Sequence, residues 1–275
     1  MKLRGKVAVV TGGSMGIGEA IAKLFADESA AVVITSRDPA RAEAARARIG
    51  HTERTLAVAC DVRRRADLEA LMAATLQRFG RVDAWVNNAG FGMMASVEQL
   101  PMSGARDLFD TNFFGVIDAM QVAIPVMKRQ GSGAIINISS VSGHIASPHM
   151  SIYSASKFAL NALSYAARLE LRGTGVNVIS VCPGYISTDF GVNAVRAPGA
   201  MRVGRSAKWS VPAGVVARAV LKAWLGGKRQ AVVPWWYWLF VKLYENVPRL
   251  VEKSMARSLA PADEVIAAQQ AAAKR

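Results

Sequence analysis

Short runs of apolar, mostly β-branched residues alternate with amphipathic stretches along most of the chain. An apolar run of about four to eight residues between turn signals is typical of a buried strand, and apolar positions three and four residues apart are typical of a helix. Residues 66–79 show the helical pattern most clearly. Strands that alternate with helices predict a parallel sheet with helices on both faces. We therefore expect an α/β fold, in which a doubly wound parallel sheet of about seven strands is flanked by helices in a single domain.

The same patterns give the bounds of each element. The predicted strands are residues 6–10, 31–35, 55–60, 84–86, 134–138, 176–181 and 231–233. The predicted helices are residues 18–27, 40–48, 66–79, 108–127, 152–171 and 212–224. Residues 185–211 contain Gly, Ala and Arg without a regular pattern, which is typical of a mobile loop or lid. We expect this loop to cover the substrate.

A glycine-rich turn, residues 11–18, joins the first predicted strand to the first predicted helix. Glycine permits a tight turn and a close approach to a ligand, and the helix N-terminus offers free N–H groups and the positive end of the helix dipole. A turn of this kind between a strand and a helix predicts a binding site for the pyrophosphate of a dinucleotide. The candidate residues are Gly12, Ser14, Met15, Gly16, Ile17 and Gly18.

The end of the second predicted strand indicates which dinucleotide binds. Sites of this kind recognise the ribose 2′ position with a residue about 20 positions beyond the glycines. An acidic residue there would repel a 2′-phosphate, but this chain has Ser36 followed by Arg37, which would attract it. The sequence therefore favours NADP(H) over NAD(H). The alternative is that Arg37 is one more exposed loop arginine in a basic chain.

Tyr153 and Lys157 are four positions apart in a predicted helix, and Ser140 lies thirteen positions before Tyr153, after a predicted strand. The i,i+4 spacing places the phenol and the ammonium on one face of the helix. A positive charge about 4 Å away contributes about 4 kcal/mol at an effective dielectric constant of about 20, which would lower the pKa of a tyrosine by roughly three units. Such a phenol is a useful general acid or base near neutral pH. The alternative is a surface helix that carries tyrosine and lysine by chance.

Taken together, these features resemble the short-chain dehydrogenase/reductase family over residues 5–188, in its NADP-preferring form. The matching motifs, in the order and spacing of the family, are Thr11-Gly12-x-x-x-Gly16-x-Gly18, Asp61-Val62, Asn87-Asn88-Ala89-Gly90, Asn112, Ser140, Tyr153-x-x-x-Lys157 and Pro183-Gly184. The resemblance implies a Rossmann-like, NADP-binding catalytic domain over residues 1–233 that includes the substrate loop 185–211. It leaves residues 234–275 as an unusual aromatic, amphipathic C-terminal extension.

The resemblance also implies roles for single residues. Tyr153 would exchange a proton with the substrate oxygen, and Ser140 would hydrogen-bond that oxygen. Lys157 would hold the nicotinamide ribose and acidify Tyr153, and Asn112 would position a water molecule that links Lys157 to solvent.

For the rest of the cofactor the resemblance implies contacts from Asp61 to the adenine, from Asn87 to the adjoining ribose, and from the backbone near Ile186 with Thr188 to the carboxamide. The other expected cofactor-binding residues are Val62, Ala89, Gly90, Pro183 and Gly184. One departure is Met15, where some NADP-preferring relatives have a basic residue. The predicted cofactor preference therefore depends almost entirely on Arg37.

The composition limits the class of protein and the cellular compartment. The 275 residues are 52% apolar and 20% charged, which is typical of a globular protein with an ample core. Cys60 and Cys182 lie in apolar runs, so we expect reduced core thiols and a cytoplasmic location, with a single disulfide as the alternative. We expect no signal peptide, because residues 1–6 lead straight into the first strand.

The net charge of +14 is compatible with a nucleic-acid or an anionic membrane partner. The basic residues are scattered, however, and no zinc-knuckle or aromatic-basic RNA motif accompanies them, so we expect a solvated surface and no nucleic-acid partner. His51, His144 and His149 form no metal-ligand set, and we expect no metal. His144 and His149 are expected to be ordinary loop residues, with a place along the substrate cleft as the alternative.

The C-terminal extension has an apolar stripe at helical spacing. The stripe contains Trp235, Trp236, Leu239, Phe240, Leu243, Tyr244 and Val247. The uncharged run of about a dozen residues is short of the roughly 20 that span a bilayer, but Trp and Tyr favour the membrane–water boundary, so a peripheral membrane contact through residues 234–251 is one interpretation. The alternatives are packing on the core or on a second subunit, and a roof over the substrate cleft. Residues 260–275 predict a peripheral helix or a frayed tail.

These observations predict an NADP(H)-dependent oxidoreductase that interconverts a carbonyl and an alcohol by hydride transfer. The aromatic extension, with Phe91, Met93 and Met94, favours a small apolar substrate such as a lipid, a steroid or a hydrophobic ketone. The resemblance implies a homodimer or homotetramer through helices 108–127 and 153–171. The alternative is an NADP-binding scaffold or sensor without turnover, but such proteins typically lack the tyrosine or the lysine, and both are present here.

Overall fold

The computed structural model describes residues 1–191, 193–197 and 210–257. The chain divides into two compact units, Met1–Tyr237 and a second that begins at Trp238. Residue 192, residues 198–209 of the predicted substrate loop and the predicted tail 260–275 lie outside the described residues. No helix in the described part is both long and apolar enough to cross a membrane.

The elements of the described residues follow the predicted alternation of strands and helices. The strands are β1 Val7–Val10, β2 Ala31–Ser36, β3 Thr55–Ala59, β4 Ala84–Asn87, β5 Met93–Met94, β6 Gly133–Ile138, β7 Val176–Pro183, β8 Ile186–Ser187, β9 Val195–Arg196, β10 Val211–Pro212 and β11 Gln230–Val233. The helices are α1 Gly16–Asp27, α2 Pro39–Ile49, α3 Arg65–Phe79, α4 Met102–Phe109, α5 Gly115–Gln130, α6 Ser151–Glu170, α7 Ala213–Leu225, α8 Tyr237–Asn246 and α9 Pro248–Arg257. A π-helical turn, Asp110–Phe114, joins α4 to α5.

Seven strands form one parallel sheet in the order β11-β7-β6-β4-β1-β2-β3. The order runs outward in both directions from β1 and β4, so the sheet is doubly wound. Open sheets of this kind bind ligands at the carboxyl ends of the strands where the order reverses. The predicted fold class is confirmed, and the site is expected at the ends of β1 and β4.

The central strands β1, β2, β4 and β6 are buried on both faces, which explains their nearly continuous apolar sequences. In β1, Ala8 and Val10 belong to a core with α1, α2 and α7, whereas Val9 belongs to a second core with α3, α5 and α6. In β4, Val86 belongs to the first core and Trp85 to the second. Helices from both halves of the chain therefore cover both faces of the sheet.

The predicted bounds of helix 108–127 are wrong. The helical segment begins at Met102 and ends at Gln130, with the π-helical turn in its middle. Gly104 weakened the helical signal of the first turns, because glycine has a low helix propensity. A Cβ atom on Gly104 would come within 2.5 Å of the terminal methyl carbon of Met93, so the close approach to β5 favours glycine there.

The described ends of the predicted loop 185–211 are held by short strand pairs. β8 pairs with β10, and β9 pairs with β5. The segment after β7 therefore crosses the carboxyl edge of the sheet and contacts the segment after β4.

Candidate active site

The glycine-rich turn, residues 11–18, leaves β1 at the carboxyl edge of the sheet and enters α1. Gly12 and Gly16 have φ angles of +60° and +58°, which residues with a Cβ atom rarely adopt. A Cβ atom on Gly18 would overlap the carbonyl oxygen of Gly12 and the side-chain amide of Asn88. The turn itself thus requires glycine, before any ligand is considered.

Thr11 and Asn88 fasten the turn to the end of β4. The Thr11 hydroxyl donates to the carbonyl of Val86 at 3.2 Å and accepts from the N–H groups of Asn88 and Ala89 at 3.0 and 3.2 Å. Asn88 Nδ2 donates to the carbonyls of Thr11 and Gly12, both at 3.0 Å. These contacts hold the turn in one conformation, a role for Asn88 that the sequence analysis did not predict.

The geometry of the turn fits a pyrophosphate. α1 begins at Gly16, and its N-cap, Met15, makes no side-chain capping bond. The N–H groups of a first helical turn have no acceptor within the helix. Those of α1 are therefore open to an anion. The residues that would hold it are Gly12, Ser14, Met15, Gly16, Ile17 and Gly18.

A cavity of about 450 Å³ opens beside this turn. It is lined by Ser14, Met15, Arg41, Ala44, Arg48, Asp189 and Asn193. Arg48 already bonds both carboxylate oxygens of Glu19, at 2.8 and 2.9 Å, and the carbonyl of Ser14 at 3.0 Å. Arg41 lies 3.5 Å from a carboxylate oxygen of Asp38 and adds a second positive charge to the wall. Arg41 was not predicted from the sequence, although it lies four positions after Arg37.

Ser36 and Arg37 lie at the end of β2, as predicted. The Ser36 hydroxyl accepts a hydrogen bond from the N–H of Asp38 at 3.2 Å, and Arg37 is exposed. The pKa of Asp61 is lowered, chiefly by the hydrogen bonds of Arg63 and in smaller part by the charge of Arg37. Arg37 is therefore close enough to Asp61 for their charges to interact, at the edge where the adenosine half of a dinucleotide is expected.

Ser140 and Tyr153 come together at the carboxyl edge of the sheet, where both are buried. The Ser140 hydroxyl lies 3.3 Å from the carbonyl oxygen of Pro183 and accepts from the N–H of Ser142 at 3.0 Å. It is also hydrogen-bonded to the phenol of Tyr153. The serine is thus oriented by the backbone on two sides and directs its oxygen to the tyrosine.

Lys157 lies one helical turn after Tyr153 on α6 and is equally buried, with 6% of its surface exposed. Its Nζ donates to the carbonyl of Ile138 at 3.0 Å and lies 5.8 Å from the centre of the Tyr153 ring. The structure therefore brings Ser140, Tyr153 and Lys157 together, with both ionisable groups shielded from water.

Burial dominates the pKa values of this pair. It raises the pKa of Tyr153 to about 12, and the hydrogen bond with Ser140 opposes it only in part. It lowers the pKa of Lys157 to about 8. Burial of the phenol therefore outweighs the acidifying effect of Lys157 expected from the spacing, and the pKa of Tyr153 is raised and not lowered. The ammonium is itself desolvated, and its Nζ lies 5.8 Å from the centre of the phenol ring.

Asn112 lies in the π-helical turn between α4 and α5 and is fully buried. Its Oδ1 accepts from the N–H of Phe91 at 3.1 Å, and its Nδ2 donates to the carbonyl of Phe91 at 3.0 Å and to the hydroxyl of Ser156 at 3.3 Å. The side chain therefore positions the segment after β4 beside Lys157. The expected role of Asn112 in positioning a water molecule stays a prediction.

Two expected cofactor residues direct their side chains into the protein interior. Asn87 accepts from Trp85 Nε1 at 2.9 Å and donates to Asn137 Oδ1 at 2.8 Å. Val62 is part of the core with α3, α5 and α6. The contact of these two residues with the nucleotide stays a prediction.

The remaining expected residues lie along the same edge. Ala89 and Gly90 follow β4, and Pro183, Gly184, Ile186 and Thr188 follow β7. A Cβ atom on Gly16 would lie 3.6 Å from Thr188, so this threonine faces the glycine turn. The ring of Tyr237 lies within 2.6 Å of the Cβ position of Gly184, a close contact that the sequence analysis missed.

His144 lies in a polar cluster beside β7. Its Nε2 is 2.7 Å from Gln230 Nε2, 3.2 Å from Asn161 Nδ2 and 3.6 Å from Cys182 Sγ. Neither interpretation of His144 from the sequence predicted this position. Cys60 and Cys182 are buried free thiols, as predicted, and burial raises the pKa of both. No group of three or more His, Cys, Asp or Glu residues in the described chain could hold a metal ion.

Phe190 covers Tyr153 from the segment after β8. The two ring centres are 5.6 Å apart, and a Cβ atom on Gly92 would lie 3.1 Å from the Phe190 ring. Met93 on β5 and Leu108 on α4 belong to one buried cluster with Tyr153, so apolar side chains lie around the tyrosine.

Comparisons with known proteins find relatives in sequence and in overall fold. The sequence model of the short chain dehydrogenases matches residues 6–198. The chain is 42% identical over 190 residues to the NADP-dependent (R)-specific alcohol dehydrogenase of Lentilactobacillus kefiri, covering 68% of this chain and 75% of the relative. It is 36% identical over 186 residues to a ketoacyl reductase of Nostoc sp., covering 67% and 65% of the two chains. The crystal structure of a short chain dehydrogenase/reductase from Burkholderia phymatum in complex with NAD superposes with a TM-score of 0.81 at 25% identity, covering 91% of this chain and 96% of the other.

Proposed function

The chain belongs to the short chain dehydrogenase family, and from this membership we propose that it is an NADP(H)-dependent oxidoreductase that interconverts a carbonyl and an alcohol on a small apolar substrate. The observation that carries the proposal is the convergence of buried Ser140, Tyr153 and Lys157 beside the glycine-rich turn. A phenol and an ammonium shielded from water next to an anion-binding turn are expected of a proton relay, and not of a surface helix.

In the direction of reduction, a bound reduced nicotinamide supplies the hydride that the carbonyl carbon accepts. Tyr153 donates its phenolic proton to the carbonyl oxygen. Ser140 hydrogen-bonds the same oxygen, which fixes the carbonyl next to the phenol. Lys157, as an ammonium, stabilises the phenolate that remains and holds the ribose. In the direction of oxidation Tyr153 takes the proton back.

The proposal of an apolar substrate is supported by the surroundings of the phenol. The ring centre of Phe190 lies 5.6 Å from that of Tyr153, and Met93 of β5 belongs to the same buried cluster as Tyr153. A carbonyl attached to an apolar group would keep its hydrophobic contacts while its oxygen meets Ser140 and Tyr153. The carbonyl compounds expected to bind are hydrophobic ketones and aldehydes.

The test is oxidation of NADPH and of NADH by the purified full chain across a panel of apolar and polar aldehydes and ketones. We expect NADPH to be oxidised with apolar members at a kcat/KM at least about tenfold above that with polar members of equal size, since each buried CH₂ contributes about 0.8 kcal/mol. NADPH binding without oxidation of any member would favour the alternative, a scaffold or sensor.

The preference for NADP(H) is supported by Arg41, which lines the cavity beside the glycine-rich turn, and by Arg37, which follows β2 and interacts with the charge of Asp61. A hydrogen bond to a charged group contributes about 1.5–3 kcal/mol, so Arg37→Ala and Arg41→Ala should each raise the KM for NADPH about 10- to 100-fold. The KM for NADH should stay within about twofold, because NADH has no 2′-phosphate. Arg129→Ala, an exposed arginine in the last turn of α5, is the matched control. Equal losses with NADH and NADPH would contradict this role.

We also propose that the chain forms a homodimer or homotetramer through α5 and α6. Phe158 and Leu169 on α6 and Phe114 just before α5 are exposed apolar side chains, which supports a contact with a second copy. A monomer in sedimentation experiments at micromolar concentration would contradict it.

A further inference from the structure

The second unit carries an exposed apolar face that the reaction does not use. Leu239, Phe240, Leu243, Val247 and Leu250 have between 41% and 62% of their surface exposed, and we call them the interfacial face. Their spacing of three and four residues places them along one side of α8 and its continuation into α9. Trp235 and Trp236, which precede α8 in the chain, are 70% and 38% exposed.

The sequence left a membrane contact, packing on the core or a second subunit, and a roof over the substrate cleft open, and the core and roof interpretations stay untested predictions. A row of large apolar side chains in water is typical of a surface that meets a membrane or another protein. The partner of the interfacial face is therefore either a lipid surface or a second copy of the chain.

Charge favours the lipid surface. α8 and α9 carry the exposed cations Lys242, Arg249 and Lys253 against two exposed acids, Glu245 and Glu252. The whole chain has a net charge of +14, so an anionic bilayer attracts it. Because neither helix is long enough to cross a bilayer, the segment can only lie along its surface.

We propose that the interfacial face docks on an anionic lipid bilayer, with α8 and the start of α9 lying in the plane of the membrane–water boundary. Leu, Phe and Val enter the apolar side of the boundary, and the flanking cations meet the headgroups, as in amphipathic interfacial helices. The tryptophans at positions 235 and 236 are of the type that is enriched at this depth. This inference does not depend on the proposed oxidoreductase activity.

The test is flotation of the full chain with vesicles of phosphatidylcholine alone and of phosphatidylcholine with phosphatidylglycerol. We expect the protein to float with the anionic vesicles, and the bound fraction to fall as salt is added. The triple variant Leu239→Ser, Phe240→Ser, Leu243→Ser should bind at least tenfold more weakly. The matched control replaces three exposed apolar residues elsewhere, Val97→Ser, Met102→Ser and Leu225→Ser, and should float like the wild type.

Two further measurements keep the outcome decisive. Circular dichroism checks that both triple variants are folded. In the unsubstituted chain, anionic vesicles should shift tryptophan fluorescence to shorter wavelength, and Trp235→Phe with Trp236→Phe should reduce that shift. A wild type that stays in the aqueous fraction, equal flotation of wild type and face variant, or equal losses in face variant and control would each overturn the proposal. A face variant that turns an oligomer into a monomer with unchanged flotation would assign the face to a second copy instead.

Discussion

Replacing Tyr153 with phenylalanine is expected to lower kcat for carbonyl reduction by about 10²–10⁴-fold, the range that positioned acid–base groups contribute. The substitution removes one oxygen and leaves the ring, which contacts Phe190 and faces Lys157. The carbonyl oxygen then keeps the hydrogen bond of Ser140 but loses the phenolic proton, and a serine hydroxyl is too weak an acid to replace it. The glycine-rich turn is untouched, so the dissociation constant for NADPH should change by less than about twofold.

The measurement combines initial rates of NADPH oxidation with an NADPH binding titration of the same preparation. Tyr165→Phe is the matched control, since it removes a hydroxyl from the same helix and keeps the ring that contacts Arg229. We expect the control to retain the kcat of the wild type. Turnover by Tyr153→Phe at the wild-type rate would remove Tyr153 from the proposed relay.

The features that the sequence predicted well are those encoded locally. The turn at residues 11–18 is recognisable because a strand, closely spaced glycines and a helix follow one another within a dozen or so residues. Tyr153 and Lys157 share a helix face by spacing alone. The sheet followed from alternating apolar runs, and its seven parallel strands are confirmed. Each of these predictions needed only short-range geometry.

The features that the sequence could not give depend on contacts between distant segments. Gln230 reaches His144 across 86 positions. The ring of Tyr237 contacts Gly184. No periodicity or spacing along the chain encodes such contacts, so they appear only once the fold is known.

The pKa of Tyr153 was predicted to be lowered and is raised, for a related reason. The spacing gave the distance to a charge, but the burial of both groups is set by the whole fold, and here desolvation exceeds the attraction. Asn112 is a similar case. Its position in the sequence was recognised, but the π-helical turn that directs its amide to Phe91 was not.

Replacing Lys157 with methionine should reduce kcat at least about a hundredfold, because the relay loses the charge that stabilises the phenolate. It should also change how stability depends on pH. Burial lowers the pKa of Lys157 from 10.5 to about 8, so the folded state is penalised for carrying this charge. The penalty is fully present below pH 8 or so and disappears as pH rises toward 10.5, because in that window the unfolded chain binds the extra proton.

The expected result is that the free energy of unfolding of the wild type rises relative to Lys157→Met by roughly 1 kcal/mol per pH unit near about pH 9. The substitution also removes the hydrogen bond from Lys157 to the carbonyl of Ile138. The cost of that loss does not depend on pH, so it does not change the slope of the free-energy difference against pH. Cys60, whose pKa burial raises to about 12, titrates alike in both proteins. Urea unfolding between about pH 7 and pH 10 measures the difference, with the exposed Lys128→Met on α5 as control. A difference that is flat with pH, or that falls across this window, would mean that Lys157 keeps its charge at high pH in the folded protein. The relay would then contain a permanent cation, and not one whose proton the active site can release.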